Sequence, residues 1–332
     1  TGLRTPPKDS FDVYIGIPFC KTRCAYCSFS AGEIGDGHLV APYVQALKRE
    51  IALSAQIVNE KGLRARAVYF GGGTPTAIPR EALEELISAA REAFPGAVEW
   101  TVEAGRPDTI DMPMLQMLKR SGTTRISVNP QSFNDETLRR IGRAHTAQET
   151  IAAYRLAREA GFDDINMDLI AALPGETLAD FARTLETTVS LAPESVTVHA
   201  LAIKRTSRLH EQMHVQGGGH GLTPAGEAEK MTALARETLM GGGWKPYYLY
   251  RQKYMAGNLE NVGYAKPGLA CLYNIGNMEE TASVLAMGAG AITKWLFDRA
   301  RRIERAPNVK NIEAYIDRVD EMAARKRALI FS

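Results

Sequence analysis

Short β-type runs alternate with longer helical patterns from residue 13 to residue 201 of the 332-residue chain. Pro79 and Pro113 mark helix starts, while Gly122 and Gly161 follow helix ends. Repeated βα units of this kind build a parallel sheet, so we predict an α/β protein with six such units. The predicted strands are 13–17, 67–71, 99–104, 125–129, 165–170 and 195–201, and amphipathic spacing predicts helices over 43–58, 80–94, 147–160 and 178–191.

The alternation ends near residue 205, where we place a domain boundary. Residues 1–205 would form a barrel domain, and residues 206–332 a small C-terminal extension that covers the substrate. The extension contains the glycine-rich run HVQGGGHG, a helical pattern near 227–239 and the aromatic segment PYYLYRQKYMAGN. The change in pattern predicts α+β structure in this part of the chain.

Composition favours a globular protein without a nucleic-acid or membrane partner. Forty basic and 38 acidic residues leave a net charge of +2, which gives no overall field to attract nucleic acid or an anionic membrane. No apolar run reaches the roughly 18 residues that a membrane span needs, and the opening TGLRTPPKDSFD lacks the apolar stretch of a signal peptide. We therefore expect a cytoplasmic protein. The first residue is Thr1, so the start is not taken as the native N-terminus.

Three of the four cysteines lie close together, in the run Cys20-Lys-Thr-Arg-Cys24-Ala-Tyr-Cys27. They are too few and too clustered for a disulfide framework. Because the run follows the first predicted strand, its thiolates would lie at that strand's carboxyl end, where barrel active sites are found. Three thiolates can bind three irons of a 4Fe-4S cluster and leave the fourth open for S-adenosylmethionine (SAM). A zinc site with Cys271 or a histidine as fourth ligand is the alternative.

A glycine run, Gly71-Gly72-Gly73-Thr74-Pro75, directly follows the second predicted strand. Glycine lets the backbone approach a small ligand closely, so we expect the amino group of SAM to dock here. By itself the run is typical of an ordinary strand-to-helix turn, and it lacks the spacing of a dinucleotide-binding or P-loop fingerprint.

Four segments together resemble the oxygen-independent coproporphyrinogen III oxidase family of radical SAM proteins: GIPFCKTRCAYCSF, VYFGGGTPT, SFNDETLRRIGRAHT and INMDLIAALPGET. The resemblance covers residues 12–200 and implies a partial (β/α)6 radical SAM barrel with a small C-terminal α+β extension. It also implies that Cys20, Cys24 and Cys27 bind a 4Fe-4S cluster. The residues that it places around SAM are Gly72, Gly73, Thr74, Glu103, Gln131, Arg143, Asp168 and Tyr26.

The strand pattern brings these polar residues toward one edge of the sheet. Glu103 ends the third predicted strand, Gln131 follows the fourth and Asp168 lies on the fifth, so all three would meet at the barrel mouth. SAM offers ribose hydroxyls to a carboxylate and its own carboxylate to Arg143. The alternatives are a surface pair of Glu103 with Arg143, a helix cap by Gln131 and a solvated Asp168.

The C-terminal segments PYYLYRQKYMAGNLENVGYAKPG, CLYNIGNMEE and MGAGAITK resemble the HemZ-type subgroup, the coproporphyrinogen dehydrogenases. The haem-chaperone branch of the family carries a His-Asn pair followed by Tyr-Trp near this place. This chain instead has Tyr273-Asn274, and then Met278-Glu279. The oxidases have a longer N-terminal arm and a larger C-terminal helical domain, and both features bear on how a substrate is enclosed.

The resemblance implies an oxidoreductase of haem biosynthesis that converts coproporphyrinogen III propionates into vinyl groups without oxygen. It implies a tetrapyrrole or other small-molecule substrate and a reductase, flavodoxin or ferredoxin as electron donor. Two alternatives stay open: a methyltransferase or haem-opening enzyme on the same scaffold, and a haem chaperone with His199, His210, His214 or His220 as an iron ligand. Candidate cations for the substrate propionates are Arg205, Arg208, Arg251 and Lys253.

Overall fold

The computed structural model describes residues 6–27, 32–203, 207–215, 223–251, 259–298 and 301–332. The predicted boundary near residue 205 and the candidate cations Arg205 and Lys253 lie outside these residues. The strands are β1 Ser10–Ile17, β2 Phe19–Cys20, β3 Gly32–Glu33, β4 Arg64–Gly72, β5 Glu99–Val102, β6 Arg125–Ser127, β7 Ile165–Ala171, β8 Ser195–Ala200, β9 Lys245–Tyr250, β10 Asn261–Ala265, β11 Ser283–Met287, β12 Ile292–Phe297 and β13 Arg302–Pro307. The helices are α1 Val40–Glu60, α2 Arg80–Ala93, α3 Met112–Arg120, α4 Asp135–Arg140, α5 Ala147–Glu159, α6 Leu178–Leu191, α7 Arg208–Val215, α8 Ala225–Gly241, α9 Leu272–Met278, α10 Ile312–Asp317 and α11 Val319–Ile330.

One large sheet organises the molecule, in the order β13-β12-β11-β1-β4-β5-β6-β7-β8-β10-β9. The six predicted strands are β1, β4, β5, β6, β7 and β8, and they are consecutive parallel neighbours. In the described residues the two end strands, β13 and β9, do not pair with each other, so the sheet is not closed. The predicted α/β fold with a partial barrel is confirmed.

The predicted helices also form, as α1, α2, α5, α6 and α8. Thr146 and Thr177 begin α5 and α6 with capping boxes, in which the threonine side chain and an acidic side chain bond each other's backbone. Gly122 and Gly161 take the left-handed conformation, with φ of +78° and +89°, where the preceding helices end. Among the described residues, no helix is both long and apolar enough to cross a membrane.

The residues after 206 extend the same sheet at both of its edges. Strand β11 pairs in parallel with β1, and β12 and β13 continue that edge in antiparallel fashion. At the other edge, β10 pairs antiparallel with β8, and β9 pairs with β10. Helix α9 packs against β1, β4, β9 and β11. The chain pattern that predicted a C-terminal extension did not indicate that its strands join the barrel sheet.

A carboxylate at the amino end of β5 anchors α9. Glu99 accepts hydrogen bonds from the backbone N–H groups of Leu272 (2.8 Å) and Tyr273 (3.0 Å), and from the thiol of Cys271 (3.3 Å). These N–H groups lie in the first turn of a helix, where they have no partner within the helix and where the helix dipole favours an anion. Arg125 donates to the same carboxylate (2.8 Å) and balances its charge. The position of α9 therefore depends on Glu99.

A second buried network joins α1 to α11. Glu50 and Lys326 are both fully buried and form an ion pair. Tyr315 donates to Glu50 (2.6 Å), as does the backbone N–H of Gly288 (2.8 Å), and Lys326 also donates to Asn308 (3.0 Å). Burial lowers the pKa of Lys326. The network holds the C-terminal helix against the barrel.

We expect Lys326→Met to lower the free energy of unfolding by about 3–5 kcal/mol, because it leaves the Glu50 carboxylate buried without its cation. Urea denaturation followed by circular dichroism measures the effect. The control is Arg327→Ala, which removes an exposed ion pair with Glu60 and should leave the midpoint unchanged. Equal midpoints for the two variants would contradict this view of the network.

Candidate active site

A cavity of about 380 Å³ lies at the carboxyl ends of the parallel strands. This is the end of the sheet at which barrel enzymes bind their substrates. All eleven residues predicted for the site line this one cavity: Cys20, Tyr26, Cys24, Cys27, Gly72, Gly73, Thr74, Glu103, Gln131, Arg143 and Asp168. The fold thus brings together side chains that are separated by up to 148 positions in the chain.

Hydrogen bonds with two neighbouring segments, one to a backbone carbonyl and one from an arginine side chain, hold the cysteine loop in place. The N–H of Ala25 donates to Ile141 O (2.9 Å), and Arg106 donates to both the carbonyl and the hydroxyl oxygen of Thr22 (2.9 Å each). Burial raises the pKa of the Cys20 thiol, and the neighbouring cysteines add to this. Since metal ligands must be thiolates, the positive charge of bound iron is what would keep Cys20 deprotonated.

The zinc alternative with Cys271 as fourth ligand is wrong. Cys271 is buried against Glu99 and does not line the cavity that the other three cysteines border. Within the described part of the chain, no three His, Cys, Asp or Glu side chains are placed to hold a single metal ion. Three thiols around one cavity suit the separate corners of an iron-sulfur cubane.

The glycine run packs against the cysteine loop. A Cβ atom on Gly73 would lie 2.5 Å from Phe19 O and 3.0 Å from Cys20 Sγ, and Gly72 has a left-handed φ of +110°. The N–H groups of Gly73 and Thr74 donate to Ile17 O and Phe19 O (2.8 Å each). The missing side chain at Gly73 is therefore required by the approach of the cysteine loop itself.

Glu103 lies on the cavity wall and accepts a hydrogen bond from Tyr69 (2.5 Å). Burial raises the pKa of Glu103 to about 7. Tyr69 stacks on Tyr273 (ring centroids 4.5 Å apart), and Tyr14 stacks beside both (6.4 and 6.2 Å). These three rings, called here the tyrosine stack, give the cavity an apolar aromatic face next to a carboxylic acid.

Gln131 and Arg143 carry polar atoms that the described residues leave without a partner. Gln131 is a non-glycine residue with a left-handed φ of +64°, and its Oε1 is buried and unbonded. It does not cap the next helix, because the side chain of Asn134 does so. Arg143 donates to Asn129 O (2.7 Å), while its Nε has no partner. Unpaired buried polar atoms are costly, so their placement on a cavity wall fits a bound polar ligand.

Asp168 is neither solvated nor isolated. It accepts a hydrogen bond from Asn166 (2.8 Å), and its Oδ2 lies 3.8 Å from Nε2 of His199. Burial alone would raise the pKa of Asp168, but the contacts with His199, Asn166 and Thr197 lower it overall. The surface pair of Glu103 with Arg143 is likewise absent from the described contacts, since Arg143 donates to backbone carbonyls.

Several lining residues were not predicted. Those from the C-terminal part, Tyr248, Tyr250, Asn261, Tyr273, Asn274 and Asn277, reach the cavity on β9, β10 and α9. No local pattern indicates them, because their positions depend on contacts with distant strands. Two predicted propionate partners do not line the cavity: Arg208 pairs with Glu33 and Arg251 with Glu260 (2.9 Å each).

The family model of the Radical SAM superfamily matches residues 14–188. The chain belongs to the radical SAM superfamily. The predicted cofactors, a 4Fe-4S cluster and SAM, are confirmed as those of this superfamily. The residues present fit them, since three thiols border the same cavity as the unpaired Gln131 and Arg143 atoms.

Similar proteins agree with the predicted HemN- and HemZ-type branch. The chain is 41% identical over 323 residues to the oxygen-independent coproporphyrinogen-III oxidase-like protein HemZ of Bacillus subtilis, covering 96% of this chain and 64% of that protein. It is 29% identical over 281 residues to the haem chaperone HemW of the same organism, covering 84% and 69%. The structure of coproporphyrinogen III oxidase (HemN) from Escherichia coli, a radical SAM enzyme, matches with a TM-score of 0.77 at 24% identity, covering 97% and 72%. The chain thus spans just under two thirds of the length of HemZ.

Removing one cavity thiol should prevent cluster assembly. We expect Cys24→Ala to hold almost no iron or sulfide after anaerobic reconstitution, because two thiolates hold a cubane poorly. Cys271→Ala is the matched control and should hold as much iron as the wild type. Iron and sulfide analysis, with the visible absorption of the cluster, measures both. Full iron content in Cys24→Ala would contradict the assignment of the cluster ligands.

We expect SAM affinity to rise about tenfold as pH increases through the Glu103 pKa of about 7, since the carboxylate accepts hydrogen bonds better than the neutral acid. Glu103→Gln should bind SAM weakly and with little pH dependence. Anaerobic calorimetry on the reconstituted protein measures this.

A matched control for that titration is Glu176→Gln. Burial raises the pKa of Glu176 to about 7 as well, but this residue does not line the cavity. Its variant should keep the wild-type pH dependence. If the pH dependence disappeared in Glu176→Gln and persisted in Glu103→Gln, the titrating group would be Glu176, and the role predicted for Glu103 would be contradicted.

Proposed function

We propose that the chain catalyses the oxygen-independent oxidative decarboxylation of coproporphyrinogen III propionates to vinyl groups, a reaction of haem biosynthesis. The observation that carries this proposal is that the residues matched to the oxidase family, from the four resembling segments together with Glu103 and Gln131, all line one cavity. The similarity to HemZ, which extends over 96% of the chain, supports the same reaction class.

When bound, the cluster and SAM supply a one-electron cleavage that produces a hydrogen-abstracting radical. In this proposal each reacting propionate would lose a hydrogen atom, a carboxyl group as carbon dioxide and one electron, which passes to an acceptor, and would gain the vinyl double bond. The carboxylate of Glu103 accepts hydrogen bonds from the ribose hydroxyls, and Arg143 and Gln131 offer their unpaired polar atoms to the amino-acid part of SAM.

The shape and chemistry of the cavity suit a substrate with both apolar rings and polar arms. The tyrosine stack offers a flat apolar face against which a pyrrole ring packs. Residues of strands β9 and β10 and of helix α9 line the cavity from the C-terminal part of the chain, which supports a substrate-covering role for residues 206–332. Exclusion of water from such a site would protect the radical chemistry.

The proposed setting follows from this chemistry. The enzyme needs electrons for each SAM cleavage, and we assign their delivery to a cytoplasmic reductase, flavodoxin or ferredoxin. A tetrapyrrole is the proposed substrate, and no nucleic acid takes part. Another substrate on the same scaffold would change the product and not the cofactors.

A second candidate function is that of a haem chaperone, because HemW proteins are among the relatives, with 29% identity over 84% of this chain. The site of that family's His-Asn pair holds Tyr273-Asn274 here, and Tyr273 is engaged in the tyrosine stack. Stoichiometric binding of haem by the reconstituted protein, together with no turnover of SAM, would favour this second function.

The decisive experiment incubates the reconstituted protein anaerobically with dithionite, SAM and coproporphyrinogen III. We expect deoxyadenosine together with a porphyrin mass that has lost carboxyl groups as carbon dioxide. Cys24→Ala serves as the control and should yield neither product. Deoxyadenosine with an unchanged porphyrin would discard the substrate, and a methylated or ring-opened product would establish one of the alternative reactions on the same scaffold.

A further inference from the structure

One part of the cavity wall is polar but nearly free of charge. It is built by β8, β9, β10 and α9, and we call it the C-terminal wall. Among its described side chains His199 is the only basic one, and the rest are amides, hydroxyls and apolar groups. Its polar members are Thr197, His199, Tyr248, Tyr250, Asn261, Tyr273, Asn274 and Asn277.

His199 is held in place without using all of its hydrogen-bonding capacity. Its Nδ1 lies 3.3 Å from the hydroxyl of Tyr250, whose ring meets the imidazole edge to face. Its Nε2 lies 3.8 Å from Oδ2 of Asp168, which is too long for a hydrogen bond. The side chain is 27% exposed, so Nε2 can donate to a ligand in the cavity.

Asn261 places a second donor beside His199. Strand β10 pairs antiparallel with β8, with Val262 opposite Val198, and Asn261 and His199 are the next residues along the two strands. Directly opposite residues in such a pair have Cβ atoms about 4.5–5.5 Å apart. The Oδ1 of Asn261 accepts from the N–H of Ala200 (2.9 Å), which fixes the orientation of the amide.

The amide nitrogen of Asn261 has no partner among the described residues, although the side chain is fully buried and lines the cavity. A buried N–H donor without an acceptor costs about 1–3 kcal/mol. The unpaired amide nitrogen of Asn261 therefore does not stabilise the fold. An acceptor group on a bound molecule would satisfy the amide, as it would the Nε2 of His199.

Two arginines that line the cavity already have partners for some of their N–H groups. Arg106 donates to Asp108 (3.0 Å) and to Thr22, and Arg143 donates to backbone carbonyls. An anionic group that reaches the C-terminal wall therefore meets His199 and Asn261 first. Asp168 disfavours a second carboxylate nearby, and hydrogen bonds donated by His199 and Asn261 to that carboxylate would offset this repulsion.

We propose that His199 and Asn261 together bind one carboxylate of the substrate on the C-terminal wall. This inference rests on the proposed function, which gives the substrate its propionates. The subsite would hold one propionate arm still while a different arm faces the cofactors. In this proposal His199 and Asn261 take the role of propionate partner that the sequence had suggested for Arg208 and Arg251. Those two arginines pair with Glu33 and Glu260 instead.

The test compares the binding of coproporphyrin III with that of its tetramethyl ester, which lacks the carboxylates. Fluorescence titration on the reconstituted holoenzyme gives both affinities. We expect the wild type to prefer the acid by about tenfold or more. His199→Asn, which keeps a group near Nδ1 but loses Nε2, should abolish most of this preference and leave the ester affinity unchanged.

Two further variants sharpen the result. Asn261→Asp keeps the oxygen that accepts from Ala200 but replaces the donor by a carboxylate, so it should weaken acid binding at least as much. His199→Gln restores a donor near the Nε2 position and should recover part of the preference. Arg251→Gln, at an exposed ion pair, is the control and should bind like the wild type. Cluster content and SAM affinity verify that each variant is folded.

Each outcome has one meaning. Loss of the preference in His199→Asn and Asn261→Asp, with rescue by His199→Gln, supports the carboxylate subsite. A wild type that prefers the acid while both variants retain that preference overturns the subsite and leaves the proposed function intact. Equal affinity of the wild type for acid and ester overturns the subsite too. A wild type that binds neither porphyrin overturns the proposed function and, with it, this inference.

Discussion

The carboxylate of Glu99 ties the C-terminal part of the chain into the barrel. It is shared between Arg125, on the neighbouring strand, and the first backbone N–H groups of α9. Asp12 and Arg66 hold the same helix from β1 and β4, since Arg66 pairs with Asp12 and also donates to Leu272 O (3.0 Å). Without these buried charges in balance, α9 would lose its place beneath the cavity.

The consequence reaches the chemistry of the cavity. Because Glu99 binds the first turn of α9, Tyr273 in that turn packs against Tyr69. Tyr69 in turn donates a hydrogen bond to Glu103. A chain of contacts therefore runs from the amino end of β5 to the carboxyl end of the sheet. It joins the C-terminal residues, which lie outside the superfamily match at 14–188, to the residues within that match. Both parts therefore line the same cavity.

Much of this arrangement could be predicted from local pattern. The six central strands, the long helices and the cavity position of the three cysteines follow from periodicity, turn residues and motif spacing. The position of α9 could not be predicted in this way, because Glu99 and Leu272 are 173 residues apart and neither residue type alone indicates the other. The same holds for Asn261, whose importance rests on its cross-strand position opposite His199 and on an unpaired amide that only coordinates reveal.

The contact between Thr74 and Cys20 connects the glycine turn directly to the cysteine loop. The Thr74 hydroxyl lies 3.6 Å from Cys20 Sγ, at a distance where either atom can donate. A thiolate has no proton to donate, so if Cys20 ligates iron as proposed, the hydroxyl would supply the hydrogen. Its proton then points toward sulfur, and its lone pairs are left to the cavity. Together with the backbone hydrogen bonds of Gly73 and Thr74, this side-chain contact fixes the glycine turn against the cysteine loop, so a displacement of either segment would displace the other.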